Sequence, residues 1–212
     1  MLDRHIRPLI DPVLNRLGAR IADHGISANE VTLAGLGFGL AAALMLALGL
    51  PGELALVPLM IGRVLDGLDG AVARAGGGKS EFGGYLDLLC DFAFYGAVPL
   101  AFALRDEANG AAAAFLLAAF YVNGASFLGY AALAAKRGME TTAQGVKSLY
   151  YSAGLLEGTE TVLFFMALCL WPEAFRPLAV GFGLLCLVTA TGRALLARRV
   201  FGGAEKRKGE SG

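Results

Sequence analysis

Four aspartates interrupt residues 63–91, a stretch that is otherwise apolar enough to cross a membrane. Asp66 and Asp69 precede a glycine-rich polar turn, and Asp87 and Asp91 follow it. Within each pair the residues are three or four positions apart, so each pair lies on one face of a helix. If the turn folds the two helices antiparallel, Asp66 lies opposite Asp91 and Asp69 opposite Asp87. The sequence therefore predicts that four carboxylates converge in one small volume.

Small residues and one arginine share these two helix faces. Ahead of the turn the face also carries Gly70, Ala73 and Arg74, and after the turn it begins with Gly83. Glycines let a ligand approach the helix backbone closely, and the planar guanidinium of an arginine can hold a phosphate. The pattern predicts that a phosphate-bearing molecule, such as a nucleotide with a pyrophosphate, binds beside the carboxylates.

The composition indicates an integral membrane protein. Of its 212 residues 56% are hydrophobic and 17% are charged, and the mean hydropathy is +0.60. The charges cluster between apolar runs of about 20 residues, the length that crosses a bilayer. We predict an all-α integral membrane protein in which residues 30–199 form a catalytic domain of six transmembrane helices, at residues 31–50, 54–74, 82–104, 108–135, 149–170 and 175–197.

The two ends of the chain are predicted to lie outside the bilayer. Residues 1–29 place apolar side chains on one face of a helix and arginines on much of the remainder, which is typical of an amphipathic helix on an anionic membrane surface. A soluble amphipathic helix packed on a loop is the alternative, and Pro8 and Pro12 leave open whether one helix or two short ones form. Residues 200–212 are basic and are predicted to be a disordered tail.

The basic residues predict the orientation. Of the 18 lysines and arginines, only Arg105 and Arg176 fall on one side of the six spans, while Arg63 lies within a span. The others lie on the opposite side, which by the positive-inside rule is the cytoplasm. Both termini and the polar turn are therefore predicted to be cytoplasmic, and the carboxylates open to that side.

Carboxylates at this depth require a compensating charge. Each costs about 2.5 kcal/mol or more inside a bilayer, and four close together repel one another. A structural ion-pair network with Arg63 and Arg74 is one explanation, although two arginines leave two carboxylates over. Divalent cations are the better explanation, because oxygen ligands without histidine or cysteine suit Mg²⁺ or Mn²⁺. Two such ions are a suitable template for phosphoryl transfer.

The spacing of these residues resembles a known family signature. In every fixed position the chain is similar to the signature of the CDP-alcohol phosphatidyltransferases, here Asp69-Gly70-x-x-Ala73-Arg74, eight further residues, then Gly83-x-x-x-Asp87-x-x-x-Asp91. Asp66 supplies the additional upstream aspartate. Asn29 and Thr32 are similar to a Pro-Asn-x-x-Thr sequence of many members, with Ala28 in place of the proline. An amphipathic N-terminal helix, six spans and cytoplasmic termini also occur in that family, and the chain looks most like a subgroup of the bacterial cytoplasmic (inner) membrane.

The resemblance implies a role for each matching residue. The metal ligands for two ions, Mg²⁺ or Mn²⁺, would be Asp66, Asp69 and Asp87, with Asp91 beside them, and Asp91 would deprotonate the acceptor hydroxyl. The CDP-linked donor would be bound by Gly70, Ala73, Arg74, Gly83, Asn29 and Thr32. The donor, commonly CDP-diacylglycerol, transfers its phosphatidyl group to a small alcohol and releases CMP. Other expected partners are membrane lipids and a second copy in a homodimer, and no nucleic acid is expected.

The residues that select the acceptor are predicted from charge at the fifth span. Intramembrane ionisable residues are functional candidates, and here they are Lys147, Glu157 and Glu160, with Arg137 nearby. The alternative is that the glutamates pair with Arg193 or cap neighbouring helices. For the whole chain, the alternative to an enzyme is a metal-ion transporter or channel. The almost wholly apolar far halves of the spans disfavour it, because a translocation path needs polar residues across the full bilayer.

Overall fold

Seven helices account for most of the described chain. The computed structural model describes residues 3–78, 80–139 and 158–202, and every regular element in these ranges is helical. The helices are α1 (Asp3–Asp23), α2 (Ala28–Ala47), α3 (Gly52–Ala75), α4 (Glu81–Arg105), α5 (Gly110–Lys136), α6 (Gly158–Leu170) and α7 (Phe175–Phe201). Short 3₁₀ turns, Glu107–Asn109 and Pro172–Ala174, precede α5 and α7. Residues 3–23 form one continuous helix rather than two short ones.

Local signals fix the ends of the helices that carry the aspartates and the start of α2, which packs against them. Ser27 caps α2 in a reciprocal capping box with Glu30, which satisfies free backbone N–H groups at the helix start. Gly77 and Gly78 end α3 with φ angles of 109° and 120°, a region that residues with a Cβ rarely adopt. Ser80 then caps α4 by accepting a hydrogen bond from the backbone N–H of Gly83.

Helix α2 is the common partner of the two aspartate-bearing helices. Both α3 and α4 pack mainly against α2 and make fewer contacts with each other. Glycines allow the close approach of α2 and α3, because a Cβ on Gly62 would lie 2.8 Å from the carbonyl oxygen of Gly35. This is the small-residue packing by which helices associate in membranes. Helix α1 packs on α3, α6 packs on α3, α5 packs on α4, and α7 packs on α5.

Aromatic side chains fill the core of the bundle. Phe94, Phe102, Phe165 and Phe175 are fully buried. Phe102 of α4 stacks on Phe175 of α7 with ring centroids 4.3 Å apart. This core holds α4 in place, so the polar residues of α4 nearer the turn sit on a rigid scaffold.

Within residues 3–78, 80–139 and 158–202, four helical segments are long and apolar enough to cross a membrane, judged by length and composition. They are Ala28–Ala47, Glu81–Arg105, Glu107–Lys136 and Pro172–Phe201. The predicted spans at α3 and α6 are not among them. Helix α3 has 24 residues, but Arg63, Asp66 and Asp69 break its apolar run, and the described part of α6 has 13 residues.

Candidate active site

Three of the four aspartates come together between α3 and α4. One carboxylate oxygen from each of Asp66, Asp87 and Asp91 lies within 4.8 Å of the others. Each of the three side chains is partly buried rather than fully enclosed. The cluster is therefore compact enough to share a cation and remains open to an incoming ligand.

The fourth aspartate, Asp69, is held from α2. Its side chain is buried, with 8% of the residue exposed, and Thr32 Oγ1 donates a hydrogen bond of 2.7 Å to Asp69 Oδ2. The two residues are 37 positions apart in sequence. This bond fixes the Asp69 carboxylate one helical turn from Asp66 and ties the start of α2 to the acidic cluster.

Arg63 supplies a positive charge next to the cluster. Its Nη1 lies 3.0 Å from Asp91 Oδ1, to which it donates, and 3.6 Å from Asp66 Oδ2. The guanidinium also lies 4.4 Å from the ring centroid of Phe94, in a cation–π contact. One arginine offsets only part of the charge of the aspartates around it.

The residues present fit a divalent cation. All donors in the cluster are carboxylate oxygens, which are the ligands that Mg²⁺ and Mn²⁺ prefer. Negative charge remains after Arg63 is counted, and such an excess is costly inside a bilayer without a cation. The site is suited to a hard metal ion.

The residues expected to bind a donor surround the same end of the bundle. A Cβ on Gly83 would lie 3.3 Å from Asn29 Oδ1, so the start of α2 faces the start of α4. Gly70 faces the guanidinium of Arg74, whose Nη1 would lie 3.4 Å from a Cβ there. Ala73 is half-buried on α3 between them. The structure thus brings Asn29 and Thr32 of α2 against the motif of α3 and α4.

Two residues next to the motif make contacts that the sequence does not predict. Asn15 of α1 accepts a hydrogen bond of 2.8 Å from Arg74 Nη2, although the residues are 59 positions apart. Arg63 was expected only to offset charge, and its specific partner is Asp91. No local pattern marks Asn15, because its position over Arg74 depends on how α1 docks on α3.

The structure describes two of the four residues expected to select the acceptor, Arg137 and Glu160. Arg137 donates hydrogen bonds of 2.9 and 2.7 Å to the carbonyl oxygens of Val200 and Phe201, and so it caps the end of α7. Glu160 lies in the first turn of α6, whereas Lys147 and Glu157 fall outside the described residues.

Arg193, the alternative partner of the glutamates, is buried in α7. Its Nη1 donates to Asn123 Oδ1 at 3.1 Å and to Ser126 Oγ at 2.6 Å, both on α5. The polar side chains of the fourth predicted span therefore make an interhelical contact, as expected for polar groups inside a membrane.

The helical bundle and its acidic site define a class: a multi-pass membrane protein with a site for a divalent metal. A model of the CDP-alcohol phosphatidyltransferase family matches residues 26–192. The inner membrane protein YnjF of Escherichia coli is 44% identical over 190 residues, which are 89% of this chain and 91% of that protein. The chain therefore belongs to the CDP-alcohol phosphatidyltransferase family, and it is a membrane-bound transferase of phospholipid biosynthesis. The resemblance seen in the motif is confirmed.

Further relatives agree with this family and with its fold. The archaetidylinositol phosphate synthase of Pyrococcus horikoshii is 42% identical over 86 residues, 41% of this chain and 45% of that protein. Phosphatidylinositol phosphate synthase PgsA1 of Mycobacterium tuberculosis with CDP-DAG bound has a TM-score of 0.62 at 22% identity, over 87% of this chain and 91% of that one. Its complex with manganese and citrate has a TM-score of 0.66 at 22% identity, over 85% and 87%.

Proposed function

We propose that this enzyme transfers a phosphatidyl group from CDP-diacylglycerol to the hydroxyl of a small alcohol and releases CMP. The observation that carries the proposal is the convergence of Asp66, Asp87 and Asp91 within 4.8 Å, in a chain with the family signature. The solved relative with CDP-DAG bound supports the choice of donor. The relative with manganese bound supports a divalent metal.

In this proposal two divalent ions, Mg²⁺ or Mn²⁺, bind between α3 and α4. Asp66, Asp69 and Asp87 would hold them, with Asp91 at the edge of the site. When bound, such ions neutralise the pyrophosphate and stabilise the departing phosphate. Thr32 keeps the carboxylate of Asp69 in place through its hydrogen bond of 2.7 Å.

The donor would be held by the residues around the ends of α2, α3 and α4. Gly70 and Gly83 leave room for the nucleotide next to the helix backbones, with Ala73 on the same face of α3 and Asn29 and Thr32 on α2. Arg74 would hold a phosphate through N–H groups not used by Asn15. Positioning of this kind supplies most of the catalysis in phosphoryl transfer.

Asp91 would act as the general base. It accepts the proton of the acceptor hydroxyl as that oxygen bonds to the β-phosphorus of the donor. The bond from this phosphorus to the oxygen bridging to the α-phosphate breaks, and CMP leaves with that oxygen. The side chain of Asp91 is 29% exposed, so an acceptor could reach it.

The membrane placement is part of the proposal. Six spans, with α3 and α6 crossing beside the four apolar segments, would put both termini and the acidic site at the cytoplasmic face of a bacterial inner membrane. Helix α1 would lie in the interface: Ile10, Val13 and Leu17 are exposed apolar side chains, suited to insertion among lipid headgroups.

The acceptor is proposed to enter near the start of α6. Glu160 lies there, and Lys147, Glu157 and Arg137 are further candidates from the sequence. A glutamate would favour a hydroxyl-rich or cationic acceptor, whereas the basic residues would attract an anionic one. Substituting Glu160 by Gln should change the order of preference among alcohols; an unchanged order would remove this residue from the acceptor site.

The reaction can be tested with purified protein. In the presence of Mg²⁺ or Mn²⁺, labelled CDP-diacylglycerol and a panel of alcohols, we expect release of CMP and formation of a phosphatidyl alcohol. A metal chelator should stop both, and Asp91→Asn should lower the rate by about 10²-fold or more. If the folded protein binds CDP and yet no alcohol elicits CMP release, the assigned reaction is wrong.

A further inference from the structure

Arg63 is a mostly buried cation in contact with the base proposed above. Its side chain is 9% exposed, and it reaches Asp91 Oδ1 at 3.0 Å and Asp66 Oδ2 at 3.6 Å. Phe94, which is fully buried, lies under the guanidinium at 4.4 Å. The arginine is thus held from two sides, by an aromatic ring and by carboxylates.

Stability alone is a weak reason for an arginine at this position. Removing charges from water is costly, so a buried ion pair is often no more stable than an apolar pair of similar volume. Among the residues that the structure describes, none accepts a hydrogen bond from the buried Nε of Arg63. An incompletely satisfied buried arginine needs another explanation.

The geometry of Arg63 distinguishes Asp91 from Asp66 and Asp69. Asp69 receives its hydrogen bond from the neutral hydroxyl of Thr32, whereas the closest contact of Arg63 is to Asp91, within hydrogen-bond distance. A divalent ion in the cluster and the guanidinium would attract the same carboxylate. The cation–π contact with Phe94 favours the present position of the guanidinium and so opposes its movement with Asp91 towards a metal.

We propose that Arg63 is a positioning residue that holds Asp91 by its Oδ1 atom and competes with the metal ions for it. Asp91 is thereby kept from full metal coordination and remains free to take the proton of the acceptor. This inference rests on the proposed function for the role of Asp91, whereas the competition for Asp91 is a property of the protein without substrates.

The test compares Arg63→Met with Arg63→Lys. Methionine fills the space over Phe94 without a charge, so Mn²⁺ should bind about threefold or more tightly to the substrate-free protein, measured by electron paramagnetic resonance. The kcat should fall by about 10²-fold, the usual contribution of a general base, while KM for CDP-diacylglycerol stays within about threefold of wild type. Lysine keeps the charge but lacks the planar guanidinium that lies over Phe94, so it should hold Asp91 less firmly: kcat should fall while Mn²⁺ affinity stays near that of wild type.

Arg105→Met is the matched control, because Arg105 donates a hydrogen bond to the carbonyl oxygen of Leu50 at the other end of the bundle. It should leave kcat and Mn²⁺ affinity unchanged. The proposal is overturned if Arg63→Met leaves Mn²⁺ affinity unchanged or weakens it, or if Arg63→Lys keeps the wild-type kcat. If Arg63→Met does not fold, the kcat of Arg63→Lys alone tests the proposal. Failure of wild type to release CMP would refute the proposed reaction instead, and the Mn²⁺ measurement would still test the competition.

Discussion

A single methyl group at Gly83 would collide with the residue that caps α4 and with one side chain of the proposed donor site. A Cβ there would lie 2.9 Å from Ser80 Oγ and 3.3 Å from Asn29 Oδ1. We expect Gly83→Ala to displace the helix cap or the asparagine and to lower kcat/KM for the donor on the order of 10- to 100-fold. Gly84→Ala is the control, since nothing lies within 4 Å of a Cβ at that position, and it should retain wild-type kinetics.

The hydroxyl of Thr32 is expected to strengthen metal binding, because it holds the carboxylate of Asp69 in place. Thr32→Val keeps the shape of the side chain and removes the hydrogen bond to Asp69. Loss of a bond that orients a metal ligand typically weakens metal affinity by 10- to 100-fold, so Mn²⁺ titration should show a decrease of about tenfold. Thr32→Ser restores the hydroxyl and should restore the affinity. Equal Mn²⁺ binding by the valine and serine variants would exclude a role for this bond.

The close packing of α2 against α3, here called the seam, brings Thr32 within reach of Asp69. Gly62→Ala would place a Cβ 2.8 Å from the carbonyl oxygen of Gly35 and 3.1 Å from the backbone N of Gly39. Because both are backbone atoms, the helices must separate, at a cost of about 1–3 kcal/mol. We expect a lower melting temperature in detergent and weaker Mn²⁺ binding. Gly37→Ala is the control, because a Cβ at this position has nothing within 4 Å. If Gly37→Ala lowers the melting temperature as much as Gly62→Ala does, separation of the two helices is not the cause of the loss.

Helix α1 is expected to act on the donor site through its docking on α3. A Cβ on Gly18 would lie 2.8 Å from the backbone carbon of Ala71, so Gly18→Ala should push α1 away and break the bond between Asn15 and Arg74. Both Gly18→Ala and Asn15→Ala should raise KM for the donor more than they lower kcat. Only Gly18→Ala should also reduce thermal stability, because Asn15 is exposed. An unchanged KM for the donor in Asn15→Ala would show that the hydrogen bond between Arg74 and Asn15 does not contribute to donor binding.

At the scale of the molecule, the proposed orientation can be read from the two ends of one span. The segment Glu107–Lys136 is long enough to cross the membrane, and the three natural cysteines are buried. A membrane-impermeant maleimide should label Lys136→Cys only in inside-out vesicles and Glu107→Cys only in right-side-out vesicles, as the positive-inside rule requires. The reverse pattern would place the acidic site on the outer face.

The prediction from sequence succeeded where the chain carries a local or periodic signal. The motif gave the family, and the apolar runs gave the positions of α2, α4, α5 and α7 within a few residues of those observed. Six spans stay a prediction, because α3 carries charges in its middle and the described part of α6 is short. Likewise the roles of Lys147 and Glu157 stay predictions, since both lie outside the described residues.

By itself, the sequence determined that this chain is a helical membrane protein with carboxylates gathered across one polar turn, because helical spacing and apolar length are properties of short segments. Only the tertiary structure decided which groups hold those carboxylates. Thr32 reaches Asp69, Arg63 reaches Asp91, and Asn15 reaches Arg74. These partners lie 28 to 59 residues apart. The contacts of Thr32 and Asn15 depend on the close approach of α2 and α1 to α3, where glycines bring the helix backbones together.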